Sequence, residues 1–244
     1  MSRENDLREP IALACRVLAR AGLMETIFGH VSVRLDDHAM MIRCRGSQER
    51  GLLFSEPADV HRVPIAGQAA ALADGYRAPY ELPIHAALYR ERPEVQAVVH
   101  AHPRSALLCG LAGLELRPVF GSYNISAAHL ALRGVPVFPR AALISRDELA
   151  AELLASMAGA DVCLMRGHGI TTCGTTLEQA VTRALALEAL TSVTVELAQL
   201  RATPSELSAE DVAELPDLGP GFNDRFVFQY HAALDADARR SEPD

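Results

Sequence analysis

Strand signals and helix signals alternate along the whole 244-residue chain, which predicts an α/β fold in a single domain, 1–244. Two observations carry this. Short apolar runs of strand length end at Gly, Pro or Asp turns, and longer stretches repeat their apolar residues at helical spacing. No internal repeat and no linker separates the two kinds of element, and the length allows a substantial common core.

In chain order, Ile11 to Leu23 has helical periodicity and Gly22 supplies a stop signal. Phe28 to Leu35 alternates like a half-buried strand, Asp36-Asp37 turns the chain, and Met40 to Cys44 reads as the hairpin partner. The polar stretch from Arg43 to Gly51 reads as a loop, with short strands expected at Leu52–Ser55 and Asp59–Val63. Glu81 to Tyr89 predicts a helix with Pro83 in its first turn. A central strand is expected over 95–102, helices near 104–111, 124–132 and 145–157, and a short strand at Val135–Phe138. Asp161 to Met165 reads as a buried strand that returns through Arg166-Gly167-His168-Gly169 into Ile170–Cys173. Thr175 or Thr176 caps a long helix to about Leu200. From about 203 the tail is rich in Pro, Asp and Glu and reads as irregular. Its aromatic residues Phe222, Phe226, Phe228 and Tyr230 either pack on the domain or close over a site.

The formal charge of −8 argues against binding nucleic acid or an anionic membrane, and no apolar run approaches the roughly 20 residues of a bilayer span. The charged start, Met1 to Asp6, does not resemble a secretory signal. Five scattered cysteines (15, 44, 109, 163 and 173) form no CxxC pair and read as reduced, buried thiols, so a cytoplasmic location is expected.

The chemistry concentrates where the central strand ends, at Val98-Val99-His100-Ala101-His102-Pro103. Residues i and i+2 leave the same face of a strand, so His100 and His102 can aim two imidazoles at one point. Taken alone, the pair fits either a metal-binding face or two ordinary strand-end histidines. His168, between two glycines, can approach a ligand closely or simply sit at a hairpin tip. Glu81 suits acid–base chemistry in a pocket and equally a solvated first helical turn. Together, Glu81, His100, His102 and His168 make a donor set that binds a first-row divalent ion and leaves positions open.

These residues stand in a series of motifs: Gly29-His30-Val31-Ser32-Val33-Arg34, Glu81 with His85 four residues on, Arg92 to His102, Arg166-Gly167-His168-Gly169, and Leu177-Glu178-Gln179-Ala180. In that order, over roughly residues 5–200, the chain resembles the class II aldolase/adducin family. The resemblance implies an α/β/α sandwich around a mostly antiparallel sheet. It implies one divalent ion per subunit (Zn, Mn, Fe or Co) on His100, His102 and His168, with Glu81 as a catalytic or ligating carboxylate. It also implies a homotetramer with sites between subunits, to which Tyr123 matches a tyrosine lent by a neighbour.

The chain departs from the family's sugar-phosphate aldolases where their small polar groups cradle a phosphate. Here those places hold Gly29-His30, the arginine-bearing loop around Gly46-Ser47, and Pro79-Tyr80. Proline has no N–H and tyrosine is bulky, whereas arginine grips carboxylates and tyrosine packs against rings. Arg43, Arg45, Ser47 and Tyr80 are therefore the expected substrate-binding residues, and Glu81 or His30 the expected proton donor. The expected activity is decarboxylation of a hydroxylated aromatic (di)carboxylic acid, as in the family's aromatic-acid decarboxylase branch. The alternatives are an aldolase on a small hydroxy-carbonyl or sugar-phosphate substrate, a non-haem iron oxygenase, and an adducin-like binding module. His85 reads as a residue that orients Glu81, and each arginine by itself reads as part of a solvated loop.

Overall fold

A computed structural model describes residues 3–66 and 72–241. Its first helix, α1 (Arg3–Arg20), begins well before Ile11; its opening turns are charged and none of their residues is fully buried, so apolar periodicity does not reveal them. Strands β1 (His30–Arg34) and β2 (Ala39–Arg43) form the expected hairpin, in which the Asp36 carboxylate accepts the His38 and Ala39 N–H groups at 2.8 Å each. The strand expected at Leu52–Ser55 is instead a 3-10 turn, Leu52–Phe54. Gly51 at φ 89° breaks the extended path, and the Phe54 N–H bonds back to the Gly51 carbonyl. The next strand, β3, runs over Val60–Pro64.

Further along come α2 (Leu82–Glu91), β4 (Ala97–Ala101), α3 (Arg104–Ala112), α4 (Ile125–Arg133) and β5 (Val137–Phe138). They are followed by α5 (Asp147–Met157), β6 (Val162–Met165), β7 (Gly169–Gly174) and α6 (Leu177–Gln199). Of the two candidate caps on α6, Thr176 is the one used, its hydroxyl accepting the Gln179 N–H at 3.1 Å.

The strands form one sheet in the order β3-β2-β1-β4-β7-β6-β5. The sheet is mixed: β5 runs parallel to β6, while the other pairings are antiparallel. The exception follows from the connection, since β5 reaches β6 through the crossover helix α5 rather than a tight turn. Alternation along the strands builds a core on each face. Val31, Val33, Val99, Leu164 and Ile170 point into one core with α1, α3 and α6. Met40, Ile42, Val98, Cys163 and Cys173 point into the other with α2 and α5. The result is a three-layer α/β/α sandwich with β4 as the middle strand.

The segment from about 203, expected to be irregular, contains two further helices, α7 (Ala209–Ala213) and α8 (Gly219–Ser241). The Pro- and acid-rich composition holds only up to the start of α8, and the remainder is anchored by a tertiary contact invisible in the sequence. Asp235, 2% exposed, accepts from Arg16 Nε and Arg20 Nε at 2.8 Å each and so ties α8 to α1. Phe228 packs toward the core, whereas Phe222, Phe226 and Tyr230 lie on the exposed side of α8. Among the described residues no helix is long and apolar enough to cross a membrane. All five cysteines are buried free thiols.

Candidate metal centre

His100 lies in the middle strand, fully buried. His102 follows one residue beyond β4, where its N–H bonds to the Leu23 carbonyl at 3.0 Å. Strand alternation does bring the two imidazoles together, with Nε2 to Nε2 at 2.8 Å. His168 arrives on the turn between β6 and β7, which Gly167 makes possible at φ 65°. Gly169 serves a different need: a Cβ there would lie 2.2 Å from the Ala101 carbonyl oxygen, so only glycine lets this turn close against the end of β4.

Glu81 occupies the N-cap position of α2 with its side chain turned away from the helix N–H groups, and it is 5% exposed, which excludes the solvated alternative. Its Oε2 lies 3.2 Å from His100 Nε2, and its Oε1 lies 3.4 Å from His168 Nε2. Oε1 also accepts the Ile144 N–H at 2.9 Å. One donor atom from each of Glu81, His100, His102 and His168 falls within 4.8 Å of the others.

The hydrogen bonding behind the cluster shows what it fits. Thr171 donates its hydroxyl to the Met165 sulfur at 3.3 Å, so its oxygen is left to accept from His100 Nδ1, also at 3.3 Å. His100 then carries its proton on Nδ1, and its Nε2 turns a lone pair toward a carboxylate oxygen and another imidazole. A carboxylate and three imidazole nitrogens converging on one point are a donor set that a divalent cation takes up as it displaces their protons. Ligands bound at about 2.0–2.2 Å in a tetrahedron stand roughly 3.3–3.6 Å apart, so the Glu81 contacts at 3.2 and 3.4 Å are close to the spacing of a divalent site, while His100 and His102, at 2.8 Å, would have to part slightly. His168 Nδ1 is buried without a partner, so its ring is placed by the turn and not by a second hydrogen bond.

Burial by itself would raise the Glu81 carboxyl, but positive charge facing it, carried by His100 and His168 when protonated, outweighs burial and holds the group well below the usual carboxylate range; a divalent ion in place of those protons acts in the same direction. His102 is lowered to about 3, by burial first and then by the neighbouring imidazoles of His100 and His168. An ionised Glu81 and a neutral His102 are the states that metal ligation requires.

His30 stands directly opposite His100 in the β1–β4 ladder, and the two rings stack at 5.0 Å. Behind it runs a buried chain: His30 Nδ1 to His85 Nε2 at 2.6 Å, His85 Nδ1 to Ser32 Oγ at 2.6 Å, and Ser32 Oγ to the Tyr89 hydroxyl at 2.7 Å. His85 thus supports His30 and not Glu81, contrary to what its spacing on α2 suggests. Both rings are kept neutral, His30 well below its ordinary range and His85 at about 3, by burial first in each case.

A cleft of about 600 Å3 is lined by Arg45, Ser47, Arg77 and Tyr80 with small residues between them; it is linked to the cluster by Tyr80, the neighbour of Glu81, and by Arg45, which lies over the Phe28 ring that stacks on His102. Three of the four expected substrate-binding residues are therefore together. Arg43 is set apart: it is buried and ion-paired with Glu49 at 2.5 Å, on the wall of a neighbouring cavity. Its guanidinium is committed to Glu49. Tyr123 is 80% exposed and meets Phe120 edge-on, 5.7 Å between centroids. Arg77, Thr171 and the Ile144 N–H carry no role in the sequence reading. Thr171 alternates with Ile170 like any strand residue, and Arg77 lies in a stretch without periodicity.

Residues 9–195 match the model of the class II aldolase and adducin N-terminal domain. The chain belongs to this family. It is 44% identical over 229 residues to a 3,4-dihydroxyphthalate decarboxylase of Arthrobacter keyseri, covering 93% of this chain and 92% of that one. It is equally 44% identical over 228 residues to the enzyme of that name from Terrabacter sp., covering 93% and 95%. Among solved structures, the L-fuculose 1-phosphate aldolase of Glaciozyma antarctica superposes with a TM-score of 0.77 at 20% identity, over 97% of this chain and 92% of that one. That likeness concerns the fold.

Proposed function

We propose that this chain is a metal-dependent carboxy-lyase that decarboxylates a hydroxylated aromatic dicarboxylic acid of the 3,4-dihydroxyphthalate type. One observation carries the reading. The cleft linked to the three-histidine cluster is built from arginines and a tyrosine in place of a phosphate cradle, in a chain whose 44% relatives bear that decarboxylase name.

His100, His102, His168 and Glu81 are the residues that would hold a divalent ion. Such an ion supplies Lewis acidity toward a substrate oxygen when bound. Glu81, ionised and bonded to the Ile144 N–H, serves as ligand and not as proton donor. The proton comes from His30 in its imidazolium form, charged from solvent. After the transfer the neutral ring keeps its other proton on Nδ1, donated to His85 Nε2, and His85 Nδ1–H donates to Ser32 Oγ. The bond between ring carbon and carboxylate breaks, CO2 leaves, and the electron pair retained by the ring carbon takes that proton. One proton is consumed per CO2, and His30 recovers it from solvent. Tyr80 packs against the substrate ring, and Arg45 and Ser47 bind its polar groups. Arg43 holds the loop through Glu49 instead.

We assign the exposed Tyr123 to the active site of a neighbouring subunit in a homotetramer. The buried free thiols support a cytoplasmic location. Zn, Mn, Fe and Co all suit the donor set, and elemental analysis of the purified protein identifies which is carried. The decisive assay follows CO2 release from 3,4-dihydroxyphthalate by the metal-loaded enzyme. Turnover of a sugar phosphate without CO2 release from any hydroxyaromatic acid would overturn the proposal, as would oxygen consumption with Fe(II).

A further inference from the structure

We infer that Arg45 and Arg77 act together as a clamp for the carboxylate that the substrate keeps, and that Arg77 thereby selects dicarboxylates over monocarboxylates. The inference rests on the decarboxylase reading and adds the residue that sets its substrate class.

The two arginines face each other in an isolated antiparallel bridge, each N–H donating to the other's carbonyl at 2.9 Å. Residues opposed in this way project their side chains from the same face with their Cβ atoms close together. Like charges so placed destabilise a strand pair, and among the described residues no carboxylate is ion-paired with either. Among the described residues, no side-chain hydrogen bond, ion pair or ring contact engages the Arg77 guanidinium. Among the described residues the Arg45 guanidinium meets the Ile27 carbonyl at 3.2 Å and the face of the Phe28 ring at 5.9 Å, and no acid. Elsewhere the arginines Arg16, Arg43, Arg92 and Arg183 are paired with acids. An acid-free, doubly cationic cleft in a chain of net charge −8 requires an anion to complete it.

The position of the cleft indicates which anion. Phe28, on which Arg45 rests, stacks at 5.9 Å on His102, and Tyr80 is the residue before Glu81. A planar acid with one edge at the metal ligands therefore extends its other edge toward the arginines. The chain contains no lysine, so its cations are all forked guanidinium groups that match a carboxylate's two oxygens. Arg45 forms the side of the clamp nearer the cluster, and the exposed Arg77 forms the outer side.

The test uses phthalate, a dicarboxylate with no hydroxyl group, and benzoate, titrated calorimetrically into the metal-loaded enzyme. Wild type is expected to bind phthalate more tightly than benzoate. Arg77→Met should weaken phthalate binding roughly 10- to 100-fold, the share of a charge-assisted hydrogen bond, and leave benzoate binding unchanged and the melting temperature no lower than that of wild type. Arg77→Lys should fall between, since it restores the charge without the fork. Equal phthalate affinity in Arg77→Met and wild type overturns the clamp, as does equal loss of both ligands or no phthalate binding by wild type. CO2 release from 3,4-dihydroxyphthalate is measured in parallel. A wild type that releases none while the phthalate series behaves as expected refutes the decarboxylase reading and leaves the clamp standing.

Discussion

Replacing Gly169 by alanine tests how tightly the turn carrying His168 is held against the end of β4. The added Cβ would lie 2.2 Å from the Ala101 carbonyl oxygen and 3.0 Å from His102 Cδ2. Real contacts of this kind stop near 3.0 Å, so one backbone must retreat by roughly 0.8 Å. Neither backbone is free to do so. Ala101 pairs with Ile170 in the β4–β7 ladder, and Gly169 itself pairs with Met165 of β6. Overpacking of this kind costs about 1–3 kcal/mol, or a melting temperature lower by roughly 3–10 °C in a domain of this size. The same shift separates His168 from His100 and His102 by more than the ~0.5 Å that a preorganised site tolerates. Metal affinity should therefore fall by at least about tenfold. Thermal unfolding and competition for Co2+ against a chromophoric chelator measure the two effects. A variant with wild-type melting temperature and wild-type metal affinity would show that the turn does not press on β4 as described.

Two further substitutions probe the supports of the fold and the site. Thr171→Val removes the hydroxyl that accepts from His100 Nδ1, and metal affinity measured by the same competition should fall about 10- to 100-fold with little change in stability. Asp235→Asn breaks the buried pairing of α8 with α1 and should cost about 3 kcal/mol at neutral pH, the low end for such a loss because Glu9 and Ser55 still partner Arg16. Burial would raise the Asp235 carboxyl, but Arg20 and Arg16 hold it below its ordinary value. A depressed folded-state value means that its contribution is present above about pH 4 and is lost as pH falls through that lower value. Denaturant unfolding of variant and wild type should accordingly differ most at pH 7 and draw together as the pH falls below 4, and a gap that does not narrow between pH 4 and pH 2 would contradict the pairing.

Much of the site was legible in the sequence because it depends on local rules. Strand alternation makes His100 and His102 neighbours whatever surrounds them, and glycines on either side of His168 announce a close approach. Ordered motifs linked these to Glu81 across gaps that local rules do not bridge. Helix boundaries followed from periodicity and caps, and failed where periodicity is silent, at the charged start of α1 and at α8, which depends on Asp235. Leu52–Phe54 misled because three apolar residues have no period, and the positive φ of Gly51 decides their path.

By itself, then, the sequence determined the fold class, the family and the identity of the four converging donors, since these are written in residue type and spacing. Only the tertiary structure decided which residues stand behind and beside them. The β1–β4 register put His30 over His100, and the β4–β7 register gave His100 its Thr171 partner. Packing turned His85 toward His30 and not Glu81, bound Arg43 to Glu49, and brought Arg77 opposite Arg45. Each is a contact between segments distant along the chain, and such contacts are set by the packing of the whole and by no local pattern.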